Sequence, residues 1–269
     1  MTDLTIIIVS FNARRELAAC LASLGESPPA VRHEVVVVDN ASEDGSVETA
    51  RAVAGVTVIP LERNVGFAAA NNVGIRATHS DLILLLNSDT IVPAGAIDAL
   101  VARLRRDPSI GVAGPRLIDG AGQPELSFGA MISPAVEWRR KSLLRQIERD
   151  IAGTRDWLRH ETSREHVVDW VSGACLLVRR HDAVAAGLLD ERFFLYTEDV
   201  DFCHAIRKLG RKVLFTPVAT VTHLRGRSRA SRPEASRQLY RRSHLAFYEK
   251  HHPVWAPALK LYLRLKGEL

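Results

Sequence analysis

Cysteine is scarce in this chain. Cys20, Cys175 and Cys203 are the only three in 269 residues. They stand too far apart for a C-x-x-C pair or a zinc-ligand spacing, and an odd, sparse count suits a reducing compartment better than a disulfide scaffold. Neither a cysteine nucleophile nor a cysteine metal ligand is expected. No stretch of about 18 apolar residues occurs, which speaks against a membrane-spanning helix. The start does not read as a secretory leader either. Met1-Thr-Asp runs straight into Leu4–Ser10 without a basic segment, and that apolar run is short. These absences point to a cytoplasmic protein. An internal repeat is also missing, and no G-x-G-x-x-G follows the first two apolar runs, so a dinucleotide fingerprint is absent. With 46% hydrophobic and 25% charged residues, the chain has the balance of a soluble globular protein, long enough to bury a substantial core.

Charge is unevenly spread. Residues 1–134 hold 10 basic and 15 acidic side chains, whereas residues 135–269 hold 26 and 16; residues 225–269 alone contribute 11 and 3. A basic terminal segment on a mildly acidic body suits an anionic partner such as phospholipid or nucleic acid, or else a solvated helix face.

The first half alternates short β-branched or leucine-rich runs with helical spacings. Leu4–Ser10, Glu34–Asp39, Val56–Leu61, Asp81–Asn87 and Ile110–Ile118 read as buried strands. Arg14–Leu24, Ser46–Ala54, Asn71–Thr78 and Pro93–Arg106 read as helices. Such alternation implies an α/β fold with a mostly parallel, doubly wound sheet. Ligands then bind outside the carboxyl ends of the strands, where Asn12, Asp39, Asn87 and Asp89 lie. After Asp119-Gly-Ala-Gly the regularity fades. Residues 137–166 suggest one or two helices beside a mobile loop, and Val167–Arg179 a strand broken at Gly173. Thr197–Leu209 reads as a helix, Lys212–Phe215 and Ala219–His223 as strands, and Pro233–His251 and Trp255–Lys266 as basic helices.

Two acidic constellations stand out. In Val38-Asp39-Asn-Ala-Ser-Glu-Asp-Gly-Ser46 a carboxylate leaves the end of a buried strand. It can accept hydrogen bonds from a base or ribose, or form an Asx-turn that caps a helix. In Phe193-Phe-Leu-Tyr-Thr-Glu198-Asp199-Val-Asp201-Phe, three carboxylates crowd the first turn of a helix. Their repulsion raises the proton affinity of at least one, although acids also favour helix N-termini for structural reasons.

In order along the chain, Val9-Ser10-Phe11-Asn12, then Val38–Ser46, then Asn64-Val-Gly66-Phe-Ala-Ala-Ala-Asn71-Asn-Val-Gly74 resemble successive signatures of the inverting family-2 glycosyltransferases, most closely the rhamnosyltransferase-like branch. The likeness implies a GT-A-like fold across residues 1–230. Its nucleotide-binding half would be about 1–120 and its acceptor half about 121–230, with C-terminal basic helices over 231–269. It gives Asp39 the nucleoside, with Ser10, Asn12, Asn40 and Ser42 beside it, while Asn64, Gly66 and Asn71 would line the diphosphate-sugar cleft. Leu84-Leu-Leu-Asn87-Ser88-Asp89 resembles the family's Asp-x-Asp motif with asparagine first. Asn87 and Ser88 would face the donor, and Asp89 with His223 would hold Mg²⁺ or Mn²⁺ at the leaving diphosphate. Arg225, Arg227 and Arg229 could hold phosphate oxygens, or face solvent. Asp199 would be the base that deprotonates the acceptor hydroxyl, with Glu198 as second choice. Trp170, Gly173, Ala174 and Asp201 would wall the sugar and acceptor pocket.

The implied reaction moves a sugar, dTDP-rhamnose being the leading donor, to a saccharide acceptor such as one linked to polyprenyl diphosphate. The basic helices would rest on an anionic inner leaflet. A nucleotidyltransferase would need a glycine-rich basic loop near residue 12, which is missing. A nucleic-acid-binding module would need a recognisable motif in the basic tail, which is also missing.

Overall fold

In a computed structural model that describes residues 2–151, 153–224 and 233–267, the chain is built on one nine-stranded sheet. Strands β1 (Leu4–Ser10), β2 (His33–Asp39), β3 (Val56–Pro60) and β4 (Leu82–Asn87) lie parallel in the order β3-β2-β1-β4. Beyond β4 the sheet continues with β10 (Cys175–Arg179), β6 (Ile110–Ile118), β11 (Lys212–His223) and β5 (Thr90–Ile91), and β8 (His166–Val168) pairs with β11. β6 and β11 are parallel, whereas β10 runs antiparallel to both its neighbours. A small separate ladder joins β7 (Phe128–Gly129) to β9 (Trp170–Val171).

The central strands are apolar on both faces because both are covered. Side chains alternate: Ile6, Ile8, Val35, Val37, Leu82, Leu84 and Leu86 meet helices α1 (Arg14–Glu26) and α4 (Ala96–Arg106). Ile7, Val9, Val36, Val38, Ile83 and Leu85 join the opposite core with α3 (Phe67–Arg76), α8 (Glu198–Lys208) and the long C-terminal helix Pro233–His251. That long helix is part of the body, since Phe247 and Tyr248 are buried in this core.

Several elements depart from the sequence reading. α3 starts at Phe67, four residues before the expected Asn71, because Gly66 turns the chain there with φ +88°. The region 137–166 does hold two helices, as expected, α5 (Pro134–Glu148) and α6 (Thr154–Glu161), which pack as a hairpin. Val167–Arg179 is three strands, since β9 leaves the main sheet to pair with β7 before β10 re-enters it. The two strands expected after Lys212 are one, with a register shift between Thr216 and Thr220 around Pro217. Two short helices, α2 (Ser46–Arg51) and α7 (Arg180–Ala185), the second of them not foreseen, and a closing helix, Ala256–Leu265, complete the described set.

All three cysteines are buried and free. Burial pushes the thiol of Cys20 up to about 11 and that of Cys203 to about 12, which agrees with inert packing. No helix among the described residues is long and apolar enough to cross a membrane.

Gly66 is constrained twice. Its backbone sits in a region almost reserved for glycine, and a Cβ there would lie 2.5 Å from the Phe194 carbonyl oxygen. Gly55 has a similar φ of +80° but open space around it. Gly66→Ala should therefore cost more than the roughly 1–3 kcal/mol of backbone strain, and Gly55→Ala no more than that. Urea denaturation of the two variants checks this; equal losses would contradict it.

Candidate active site

The polar residues that end the parallel strands form one rim. Ser10 pairs in register with Asp39, and Val9 with Asn87. Asp39 and Asn87 are thus two strand spacings apart, about 10 Å. Ser10 and Asp39 are buried. One Asp39 oxygen accepts the Ser42 N–H at 2.8 Å, three residues on, and it caps no helix, because the next one begins only at Ser46, after Gly45. The other, Oδ2, is buried without a hydrogen-bond partner among the described residues, as is Ser10 Oγ. Buried polar oxygens left unpaired are costly, and their grouping at a strand end marks a place for a polar ligand.

Neighbouring sequence-derived candidates hold this loop in shape. The Asn12 N–H donates to Ser42 Oγ and Asn12 Oδ1 accepts from the Glu43 N–H, both at 2.8 Å. Asn12 has φ +49° and Ala41 φ +67°, strained conformations that these cross-links maintain. Asn40 Oδ1 accepts the Val65 N–H and its amide donates to the Gly66 carbonyl. Asn64 Oδ1 accepts the Gly66 N–H. Asn40, Asn64 and Gly66 thus stitch the turn together, both polar atoms of Asn40 and the Oδ1 of Asn64 being engaged by backbone. Asn71 differs. Its amide donates to the Phe67 carbonyl at 2.9 Å, but Asn71 Oδ1 is buried and unpaired among the described residues.

At the end of β4, Asn87 Oδ1 is again buried and unpaired among the described residues, and its Nδ2 lies 3.5 Å from His223 Nε2. His223 Nε2 is 3.3 Å from Asp89 and Nδ1 is 3.3 Å from Glu125. Burial works against the imidazolium charge, but hydrogen bonds and the charges of Asp89 and Glu125 outweigh it and raise the pKa to about 9. β11 brings His223 here by pairing with Thr90, next to Asp89. Ser88 stands half-buried between Asn87 and Asp89.

The Glu198-Asp199 pair arrives from the other half. The Phe67 N–H donates to the Phe194 carbonyl at 2.7 Å, fastening the loop before α8 onto the Gly66 turn. Tyr196 and Thr197, with φ +71° and +65°, then turn the chain abruptly into the helix. Asp199 is half-buried, and its oxygens accept the N–H groups of Gly173 (2.9 Å) and Val200 (2.8 Å). Burial raises its proton affinity above the ordinary aspartate value, while those N–H groups and the Arg140 charge restrain the rise. Glu198 is buried, with Oε2 unpaired among the described residues. Burial first, then the charge of Asp199, drives it well above the usual glutamate range.

Ala174 joins the pair to the rim, because its carbonyl accepts the Asn87 N–H at 2.9 Å. Gly173, beside it, faces Asp199 and Phe67. Trp170 is buried, donates from Nε1 to the Ala130 carbonyl, and carries Arg140 4.7 Å above its ring.

Asp201 is a correction. Two residues after Asp199 on a helix, it points to a different side, and its carboxylate is taken by Lys250 (2.8 Å) and His251 (2.6 Å) of the C-terminal helix. Ser243 Oγ of that helix donates to the Leu195 carbonyl at 2.7 Å. Asp201 thus anchors the helix that braces the Glu198-Asp199 loop. Arg225, Arg227 and Arg229 lie outside the described residues.

Glu125 and Arg140 were missed by the sequence reading. Glu125 sits in an irregular segment and Arg140 is one of several basic residues on α5, and only the fold brings them to His223 and Trp170.

Among the described residues no three His, Cys, Asp or Glu side chains form a ready cage for a metal. Asp89 and His223 still suit a divalent ion that takes its other ligands from diphosphate and water. The imidazole must lose its proton to ligate, so binding would release a proton at neutral pH.

Residues 5–160 match the model of glycosyl transferase family 2. The whole chain is 30% identical to N-acetylglucosaminyl-diphospho-decaprenol L-rhamnosyltransferase of Mycobacterium tuberculosis, covering 91% of that protein. It is 26% identical, over 77% of its length and 62% of the other's, to the low-salt glycan biosynthesis hexosyltransferase Agl10 of Haloferax volcanii. Among solved structures, a mannosyltransferase of Pyrobaculum calidifontis in complex with GDP-Man and Mn²⁺ superposes with a TM-score of 0.62 at 17% identity, covering 96% of this chain and 68% of that one. The α/β sheet is therefore of the GT-A type, and the chain belongs to glycosyl transferase family 2 as a glycosyltransferase.

Proposed function

We propose that the chain transfers rhamnose from dTDP-rhamnose, with inversion, to a saccharide carried on polyprenyl diphosphate, in cell-wall or surface polysaccharide assembly. Donor and acceptor follow the mycobacterial relative, whose similarity spans the whole chain. The observation that carries the chemistry is the row of buried, unpaired oxygens on Asp39 and Asn87 along the rim that also bears Asp89 and leads to Asp199.

In this reading Asp39 takes the nucleoside, with Ser10 beside it. Asn71, Asn87 and Ser88 face the diphosphate-sugar. Asp89 and His223 would hold Mg²⁺ or Mn²⁺, which when bound supplies positive charge to the leaving diphosphate. Burial and mutual repulsion favour one negative charge over two on the Glu198-Asp199 pair, and the N–H groups of Gly173 and Val200 favour the charge on Asp199. Asp199 accepts the acceptor hydroxyl proton as the new oxygen–carbon bond forms on the face opposite the departing diphosphate. Trp170, Gly173 and Ala174 wall the acceptor. A lipid-linked acceptor places the work at the inner face of the plasma membrane, where each basic side chain near anionic headgroups contributes about 1 kcal/mol.

Asp199→Asn should lower kcat by about 10²–10⁴-fold while leaving dTDP affinity nearly unchanged. Full turnover by that variant would remove Asp199 from the base role.

Glu198→Gln tests the protonated partner. A carboxyl whose folded pKa is raised weakens the fold above its unfolded pKa, by about 1.4 kcal/mol per unit of displacement once the pH exceeds the folded value. The variant should therefore melt higher than wild type at pH 8, with the gain shrinking as the pH falls toward 4.5. Thermal melts across that range decide it, and a pH-independent difference would contradict the assignment.

A further inference from the structure

The helix Ala256–Leu265 has two unlike faces. Ala256 and Leu263 are buried against the body. On the adjoining arc Trp255, Leu261, Tyr262 and Leu265 stand outward, 55%, 60%, 54% and 79% exposed. The 3.6-residue period gathers these four on one side, so they form a patch and not scattered surface residues. Lys260, Arg264 and Lys266 flank it, and no acidic residue occurs from Lys250 to Gly267. The turn before the helix adds Val254, 85% exposed.

A second exposed indole lies on α5, which is tied to the helix before that turn. Tyr248 donates to Glu137 of α5 at 2.6 Å, and His252, just before that turn, lies 2.7 Å from the Ile132 carbonyl. Trp138, next to Glu137, is 73% exposed. Indoles beside a basic-flanked apolar arc are the composition of a helix that lies in a bilayer interface.

We propose that this corner is a membrane-docking surface. The helix Ala256–Leu265 lies in the plane of an anionic bilayer, its leucines and aromatics at the headgroup–acyl boundary and its lysines and arginine toward lipid phosphates. Charge decides between a bilayer and a second copy of the chain. An isologous pair sets this basic-flanked patch against itself, whereas lipid phosphate complements it. The proposal extends the reading of a polyprenyl-linked acceptor by adding hydrophobic insertion to electrostatic attraction, and it is tested by lipid binding without reference to transfer.

The full chain is floated with phosphatidylcholine vesicles that contain or lack phosphatidylglycerol. Wild type should bind the anionic vesicles, with tryptophan emission moving to the blue. The double variant Leu261→Ser/Leu265→Ser should bind at least about tenfold more weakly, since two leucines leave the apolar phase, and still keep its helical circular dichroism and its transfer to a soluble acceptor. Lys260→Gln/Arg264→Gln/Lys266→Gln should lose the preference for anionic lipid. Binding by the double variant equal to wild type would overturn the proposal. So would absence of wild-type binding at low salt, or a dimer in solution that Leu261→Ser/Leu265→Ser dissociates without any lipid binding. Vesicle binding by a chain that transfers no sugar would support the surface while contradicting the enzymatic reading.

Discussion

The register of β1 against β2 and β4 is the constraint on which the site depends. These strands are apolar on both faces, so their side chains cannot offer polar atoms to a ligand until the strands end. The ends coincide: Ser10 opposite Asp39, and Val9 opposite Asn87. A slip of one residue would exchange the two faces of a strand and move its terminal oxygen off the rim. Packing of the sheet and placement of the rim's polar groups are thus one physical fact. The oxygens on Ser10, Asp39 and Asn87 that find no partner among the described residues are the cost, which a bound ligand would offset.

The second half of the chain completes this rim by reversing direction. β10 enters antiparallel beside β4, so its beginning, preceded by Gly173 and Ala174, lies where β4 ends. Gly173 then donates to Asp199, while the Gly66 turn grips the preceding loop through Phe194. The C-terminal helix closes the assembly from behind, through Asp201 to Lys250 and His251 and through Ser243 to Leu195. The Glu198-Asp199 pair is held at its base by the first half and braced by the last helices, which explains how two positive-φ residues persist just before it.

Much of this was legible in the sequence, for identifiable reasons. Continuous apolar runs broken by turn residues gave the parallel half, and the polar residue ending each run marked the rim. Legibility failed where the signal is tertiary. The early start of α3 depends on Gly66 meeting Phe194, and the short β9 depends on pairing with β7. Asp201 reads like its neighbours in an acidic cluster, yet helical geometry turns it to the C-terminal helix. Asn40 and Asn64 look like ligand contacts in a linear motif, but their side chains hold the turn. Glu125 lies in a segment without periodicity and Arg140 is one basic residue among several on α5, so only the folded chain brings them to the site.

The most direct measurement is a crystal structure of the chain with a non-transferable nucleoside-diphosphate sugar and Mn²⁺. The expected density runs along the strand ends, with the nucleoside at Asp39, the diphosphate at Asp89 and His223, and the anomeric carbon toward Asp199. A ligand bound elsewhere, for example in the cavity lined by Arg105, Arg179 and Arg180, with the three aspartates untouched, would contradict it.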